Sequence, residues 1–375
     1  MTTRAKILQI SSYPPPRAGW AVRVEFLKRQ LEADGHECVV LNIGTSRMIP
    51  SPEYETVISG TDYVRKVWRF CSRGFLPHVH VNGATLKGLA LSIIAQVISL
   101  AFGRRVVLTF HAGVEQQFFP RHKAPRMVPA YWLLFKLSRA IVCNNEAMKR
   151  LIVQYGVRPS KIFPIPAFSV QYMQERADVL PANVEAFFGR YRHVLFSYVR
   201  FRPTFFIPEL MAAFEQVAAA RGDVGLILCG AAGHSEDDLL PKTTQQIERA
   251  GLSERVLILD DLTHEEFLAA LARSAFYVRT PVSDGVASSV LESLSLGTPV
   301  VGSENGSRPA GVITYPATDV EALGRLLLDV LNRRAEIVAA MPRPEVRDTL
   351  KEEVRLLTAP PAAIARDVSH QASRS

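Results

Sequence analysis

The sequence predicts an α/β protein made of two doubly wound domains in tandem. Three observations carry this. Short β-branched runs alternate with amphipathic helical stretches, the alternation breaks once, and it restarts with the same rhythm. Repeated strand–helix alternation implies a parallel sheet covered by helices on both faces. At about 150 residues per domain, a chain of 375 residues accommodates two such units.

In the first half Lys6–Ser11 reads as a strand. Ala21–Ala33 reads as a helix because Val22, Phe26, Leu27 and Leu31 recur at helical spacing, with Gly35 as its stop. Glu37–Asn42, His78–Asn82, Arg105–His111 and Ala140–Asn145 are further strands, separated by helices near 85–102, 126–138 and 146–155. Residues 164–181 hold three prolines and no period, so they read as the interdomain connection. In the second half the strands are His193–Tyr198, Val224–Cys229, Arg255–Asp260, Ala275–Thr280, Pro299–Gly302 and Gly311–Tyr315. Helices fall near 207–220, 237–250, 264–274, 288–296 and 319–334. Beyond Pro342 one helix is expected at 345–357, then a flexible polar end. The expected domains are 1–168 and 182–341, with 342–375 as a C-terminal helix and tail. Such a tandem puts a cleft between the C-terminal edges of the sheets, where doubly wound folds bind ligands.

Composition excludes several classes. Apolar residues make up 48% and charged residues 21%, which is ordinary for a globular chain and unlike disorder, collagen or coiled coil. Cys38, Cys71, Cys143 and Cys229 are far apart, which argues against a disulfide framework or zinc site and for a reducing, cytoplasmic compartment. Met1–Lys6 is polar and does not read as a secretory signal. The apolar run Leu89–Phe102 is 14 residues, short of the ~20 that span a bilayer.

The net charge of +8 hides an asymmetry: residues 1–170 hold 23 Lys and Arg against 9 Asp and Glu, the remainder 21 against 27. A basic half suits an anionic partner. Arg65, Lys66, Arg69 and Arg73, with Trp68 and Phe70, suggest a basic amphipathic helix; Arg121, His122, Lys123 and Arg126 form a second group. Solvated faces are the ordinary use of such groups, and contact with an anionic membrane surface is the sharper one. No module of a nucleic-acid binder is present in the sequence, so no nucleic acid is expected.

Two segments carry chemistry. After the first strand, S-S-Y-P-P-P-R-A-G-W leads into a helix, and a glycine turn at a helix N-terminus can hold an anion on its free N–H groups. Gly19 lets backbone approach a phosphate closely. The loop is not G-x-G-x-x-G, so the dinucleotide fingerprint is absent, and a bland turn fits equally well. The second segment, Ser283–Val301, reads as a small-residue loop, a helix capped by Ser288 or Ser289, Gly297 as stop, and a strand. Asp284 and Glu292 stand eight apart, one in the loop and one about a turn into the helix, so both can face the cleft, although acids at such spacing are more often solvated. Asp260 and Asp261 also read as solvated, so no metal is expected.

Ser283–Val301 resembles the E-x7-E region of retaining glycosyltransferases of the GT-B fold, family 4 (glycosyl transferases group 1), with Asp284 in place of the usual first Glu. Tyr13–Gly19, Gly35–Glu37, His78–Gly83, Thr109–Gly113, Ala140–Arg150, Leu228–Gly233 and Arg255–Gly302 resemble further family segments in order, over about residues 6–335. Three places depart from the pattern. Gly19–Trp20 replaces a glycine pair, and I-P-A-F-S-V replaces I-P-N-G-V-D. In Y-V-R-F-R-P-T-F-F, Arg200 matches the family's Arg, but Phe205 stands where a Lys is usual, with Arg202 as a candidate substitute.

The resemblance implies two Rossmann-like domains facing across a cleft. It implies transfer of a hexose from a UDP- or GDP-sugar, held by the C-terminal domain, to a glycan or lipid-linked acceptor at the basic N-terminal domain. It places the protein in bacterial polysaccharide or glycoconjugate biosynthesis, cytoplasmic or peripheral on the inner face of the membrane. Glu292 would hold the ribose, Asp284 the transferred sugar, and His111 would position sugar and acceptor. Arg200, Arg202, Gly19, Gly230, Gly285, Ala287, Ser288 and Ser289 would bind the donor and its diphosphate, with no cofactor. Two alternatives share the fold: a sugar-nucleotide 2-epimerase, whose acid–base set is not recognisable here, and a catalytically degenerate sugar-nucleotide-binding subunit, motivated by Phe205 and Asp284.

Overall fold

The computed structural model describes residues 4–14, 19–111, 117–173, 178–231, 236, 238–282, 287–306 and 308–359. Asp284, Gly285 and the chain end expected to be flexible lie outside these residues. The chain divides into two compact units, residues 1–171 with 348–375, and residues 172–347.

The first unit holds β1 (Lys6–Ser11), β2 (Glu37–Asn42), β3 (Glu55–Thr56), β4 (Leu76–Val81), β5 (Val107–Phe110), β6 (Ala140–Cys143) and β7 (Ile162–Pro164). They form a parallel sheet in the order β3-β2-β1-β4-β5-β6-β7. All five expected strands are present. β3 and β7 were not anticipated, because two and three residues are too short to show a period.

The second unit holds β8 (His193–Tyr198), β9 (Val224–Cys229), β10 (Val256–Leu259), β11 (Phe276–Arg279), β12 (Val300–Ser303) and β13 (Val312–Tyr315). These are the six expected strands, in the order β10-β9-β8-β11-β12-β13, again parallel. Both sheets are doubly wound, and chain order reverses between β1 and β4 and between β8 and β11, the switch points where such folds bind ligands.

Burial on both faces explains why β9, V-G-L-I-L-C, is apolar and buried along its whole length. The first sheet differs between its faces. Leu8, Ile10, Val79, Val81, Leu108 and Phe110 point into one apolar core. The alternate residues Gln9, His78, His80 and Thr109 are polar yet buried on the other face.

Two helices meet over that polar face. One is Gly19–Ala33; the other is Thr349–Thr358, at the far end of the chain, which packs against it. The expected helix 345–357 begins later because Asp348 caps it, its carboxylate accepting from Lys351 N at 3.0 Å. The helices Ala182–Arg190 and Arg334–Ala340 had no counterpart in the sequence reading.

Candidate active site

In the first unit the polar face ends in a chain of rings. His80 Nε2 lies 2.8 Å from Gln9 Oε1, and its Nδ1 lies 2.9 Å from His111 Nε2. With the Gln9 oxygen accepting, His80 donates from Nε2 and accepts at Nδ1, so His111 donates from Nε2 and keeps a lone pair on Nδ1. The His80 and His111 rings lie nearly parallel, 13° apart, with centroids 5.2 Å apart across that hydrogen bond, and Trp20 meets His111 edge-on, also at 5.2 Å. Burial is the largest influence on both imidazoles; the charge of His78 beside His80, and that of His80 beside His111, add to it, so both are held well below their ordinary pKa. His111 is therefore a neutral ring at physiological pH, suited to orienting a hydroxyl rather than donating a proton as an imidazolium.

Beneath this chain lies a buried ion pair. Arg23, on the first helix, donates Nε to Glu353 Oε2 at 2.8 Å and Nη1 to Thr349 Oγ1 at 2.7 Å and to Ala167 O at 3.1 Å. Glu353 accepts from Thr109 Oγ1 at 3.0 Å, and Thr109 in turn is 2.7 Å from His78 Nε2. Burial, then the charges of His111 and Arg23, push the His78 pKa down to about 3. For Glu353 burial is the largest influence and pushes its pKa up. Arg23, His80 and Thr109 together outweigh burial and hold it below the ordinary carboxylate range. A neutral histidine layer thus rests on a carboxylate that stays ionised.

In the second unit the switch point is flanked by two arginines. Arg200 follows β8, with its guanidinium 5.3 Å from the Tyr198 ring centroid and 3.8 Å from Asp261. Arg279 ends β11, only 8% exposed, donating Nη1 to Tyr198 O at 3.1 Å and lying 5.2 Å from the Phe205 ring centroid. Thr280 Oγ1 donates to Phe205 O, tying that loop to the end of β11. Gly230 closes the same edge with φ +115; a Cβ there would lie 2.2 Å from Val199 O, so no other residue fits. Arg202 is half exposed and pairs with Glu236 at 3.1 Å.

The helix Ser288–Leu296 starts as expected and stops at Gly297 in the left-handed region, φ +80. Its cap differs from expectation: the N-cap is Ala287, which has no side-chain oxygen to offer, and Ser289 is instead 2.8 Å from Tyr277 Oη. The first-turn N–H groups of Ser288 and Ser289 therefore take no acceptor among the described residues, which is the condition for an anion site. One turn on, Glu292 is 4% exposed, and His264 Nε2 lies 3.8 Å from its carboxylate. That nitrogen already donates to Tyr172 O at 2.9 Å. Burial, only partly offset by His264, raises the Glu292 pKa.

Family models match both units of the chain. Residues 18–168 match the model described as Glycosyltransferase Family 4, and residues 200–333 match Glycosyl transferases group 1. The chain belongs to the family 4, group 1 glycosyltransferases. It is a nucleotide-sugar-dependent sugar-transfer enzyme. A comparison with curated protein sequences gives no match. Among solved structures, this glycosyltransferase is similar to HepE of Anabaena in complex with UDP and glucose, at 16% identity and a TM-score of 0.66, over 99% of this chain and 100% of that one. It is similar to sucrose-phosphate synthase of Thermosynechococcus elongatus at 17% identity and 0.67, over 99% of each chain. A UDP-N-acetylglucosamine 2-epimerase shares the fold at 14% identity and 0.62, over 95% and 96%. The glycosyltransferase thus has the GT-B fold.

Within this glycosyltransferase the structure brings Arg200 and Gly230 to one edge of the second unit and sets His111 at the corresponding edge of the first. Sequence reasoning missed Gln9, His80, Arg23, Glu353 and Arg279. Two of these had a signal. H-V-H-V puts both histidines on one face, and F-Y-V-R ends an apolar strand on a charge. Glu353 had none, being one acid among several on an amphipathic helix.

Proposed function

We propose that this glycosyltransferase transfers a sugar from a UDP- or GDP-sugar with retention of configuration, the donor seated at the β8–β11 edge of the second unit and a glycan or lipid-linked acceptor served by the basic first unit. Glu292 carries this reading. A buried carboxylate that accepts no hydrogen bond among the described residues is costly unless a ligand supplies donors, and a ribose diol supplies two. Arg200, Arg279 and the open amides of Ser288 and Ser289 suit the diphosphate. Arg279 supplies, over the Phe205 ring, the cation that position 205 lacks.

In the reaction the acceptor oxygen bonds to the anomeric carbon on the face the diphosphate leaves, and the carbon–oxygen bond to the diphosphate breaks. The electron pair goes to the diphosphate, which also takes the acceptor proton. Fixed positive donors stabilise that growing charge, and His111 Nδ1 accepts from a sugar hydroxyl. The carboxylates are not the acid–base pair of a glycosidase.

The test is thermal stabilisation across UDP-, GDP- and ADP-sugars, where a donor at ~100 times its dissociation constant adds about 2.7 kcal/mol. Release of nucleoside diphosphate only when acceptor is present supports transfer. Epimerised sugar formed without acceptor would replace this reading by the 2-epimerase, and donor binding without turnover by the binding subunit.

Glu292→Gln should weaken nucleotide binding about 10–100-fold, as loss of charge-assisted hydrogen bonds predicts. Its stability should move the other way. The Glu292 pKa is raised on folding, so the folded state holds the proton more tightly, and stability falls as pH rises from the unfolded value through the folded one. Gln removes that loss, so the variant should be at least as stable as wild type at neutral pH. Unchanged affinity by calorimetry would remove Glu292 from the donor site.

A further inference from the structure

The N-terminal ends of the first unit's strands form a cavity of about 1060 Å³, on the opposite edge of the sheet from His111. Eight Lys or Arg residues and no Asp or Glu line it among the described residues. The cause is positional. Arg4 precedes β1, Arg73 precedes β4, Arg105 precedes β5, Arg139 precedes β6, and Arg158 and Lys161 precede β7. Parallel strands carry every one of these positions to the same edge.

Part of this charge is structural. Helices end at this edge, and their carbonyls attract cations. Arg104 donates to Cys71 O at 3.0 Å, Lys161 to Lys136 O at 3.0 Å, and Arg139 to Ala359 O, while Lys6 lies 3.5 Å from Glu37. The remainder is not. Arg4, Arg73, Arg105 and Arg158 are exposed and have no side-chain partner among the described residues. Burial, then the like charges of Arg105, Lys136 and Arg158, lowers the Lys161 pKa. Buried Arg139 Nε has no acceptor.

The basic helix, for which membrane contact is the sharper of two readings, is a different case. In Gly60–Ser72, Arg65 lies 2.8 Å from Asp62, Lys66 3.1 Å from Asp62 and Arg69 3.2 Å from Glu55. Of the four cations singled out there, Arg73 is the one that lines the cavity.

We propose that this cavity is a second, non-catalytic anion site that binds clustered phosphate, two or more phosphoryl groups on one small molecule or headgroup. Guanidinium forks match phosphate oxygens in pairs, and a concave, single-sign site focuses its field on a compact polyanion. Nucleic acid fits less well, because no aromatic side chain among the described residues lines the cavity for bases to stack on.

The test uses the full chain with inorganic tripolyphosphate as soluble probe, and phosphatidylcholine vesicles with or without phosphatidylinositol bisphosphate as bilayer probe. Binding should be salt-sensitive, should persist in Arg200→Ala, which disables the proposed donor diphosphate site, and should fall tenfold or more in Arg4→Gln/Arg105→Gln/Arg158→Gln. The three are exposed and have no side-chain partner among the described residues, so the triple variant should melt within ~2 °C of wild type. Binding to vesicles alone assigns the site to a lipid headgroup, and binding to tripolyphosphate alone to a soluble anion. Undiminished binding in the triple variant, loss in Arg200→Ala, or binding of neither probe overturns the proposal.

Discussion

Arg23→Ala should destabilise the first unit by about 3–5 kcal/mol, the cost of leaving a buried carboxylate without its partner. Arg23 is 2% and Glu353 0% exposed, so water cannot replace the lost hydrogen bonds. Arg23→Lys should recover little, because one ammonium cannot reproduce a fork that reaches Glu353, Thr349 and Ala167 together. Arg23→Met/Glu353→Leu should recover most of the loss, since removing both charges also removes both desolvation costs. The pH dependence has a definite sign. The Glu353 pKa is depressed on folding, so its contribution is present above the unfolded value of about 4.3 and is lost as pH falls through the folded one. Denaturant melts of wild type and Glu353→Gln should therefore differ at neutral pH and converge in acid. Equal stability of Arg23→Ala and wild type at pH 7 would show that the pair does not anchor the C-terminal helix.

Arg200→Ala should lower turnover by about 10²–10³, the usual effect of removing one fixed donor from a developing anion. Arg279→Gln should lower it comparably and leave the fold intact, because the amide can still donate to the Tyr198 carbonyl. Arg202→Ala should change turnover by less than ~5-fold, as suits a half-exposed cation paired with Glu236, a contact worth about 1 kcal/mol or less. Steady-state rates with saturating donor separate these cases. If Arg202→Ala fell as far as Arg200→Ala while Arg279→Gln kept wild-type turnover, the missing cation would belong to Arg202, as the sequence suggested.

The candidate site was legible where its residues sit in local patterns. Arg200, Gly230, Ser288 and Glu292 all fall just after a strand or in the first turns of the following helix, and strand–loop–helix order is written in periodicity. The cap of Ser288–Leu296 was misread because serines favour the N-cap, and nothing local showed that Tyr277, twelve residues away, would engage Ser289. Arg279 was passed over because a charge at the end of an apolar strand reads as a boundary, and only the β8–β11 pairing brings it to the Tyr198 carbonyl and the Phe205 ring.

By itself the sequence determined that this protein is two parallel α/β units, because side-chain period and turn chemistry are properties of neighbouring residues. It also determined that the first half is basic. Tertiary structure decided where that charge lies and what it faces: parallel pairing collects the residues that precede the strands at one edge and the loops that follow them at the other. Tertiary structure likewise decided that Arg23 and Glu353, 330 positions apart, share one buried contact. Sequence separation of that size leaves no local trace, and the contact exists only because the C-terminal helix returns to cover a polar sheet face that needs an ionised partner.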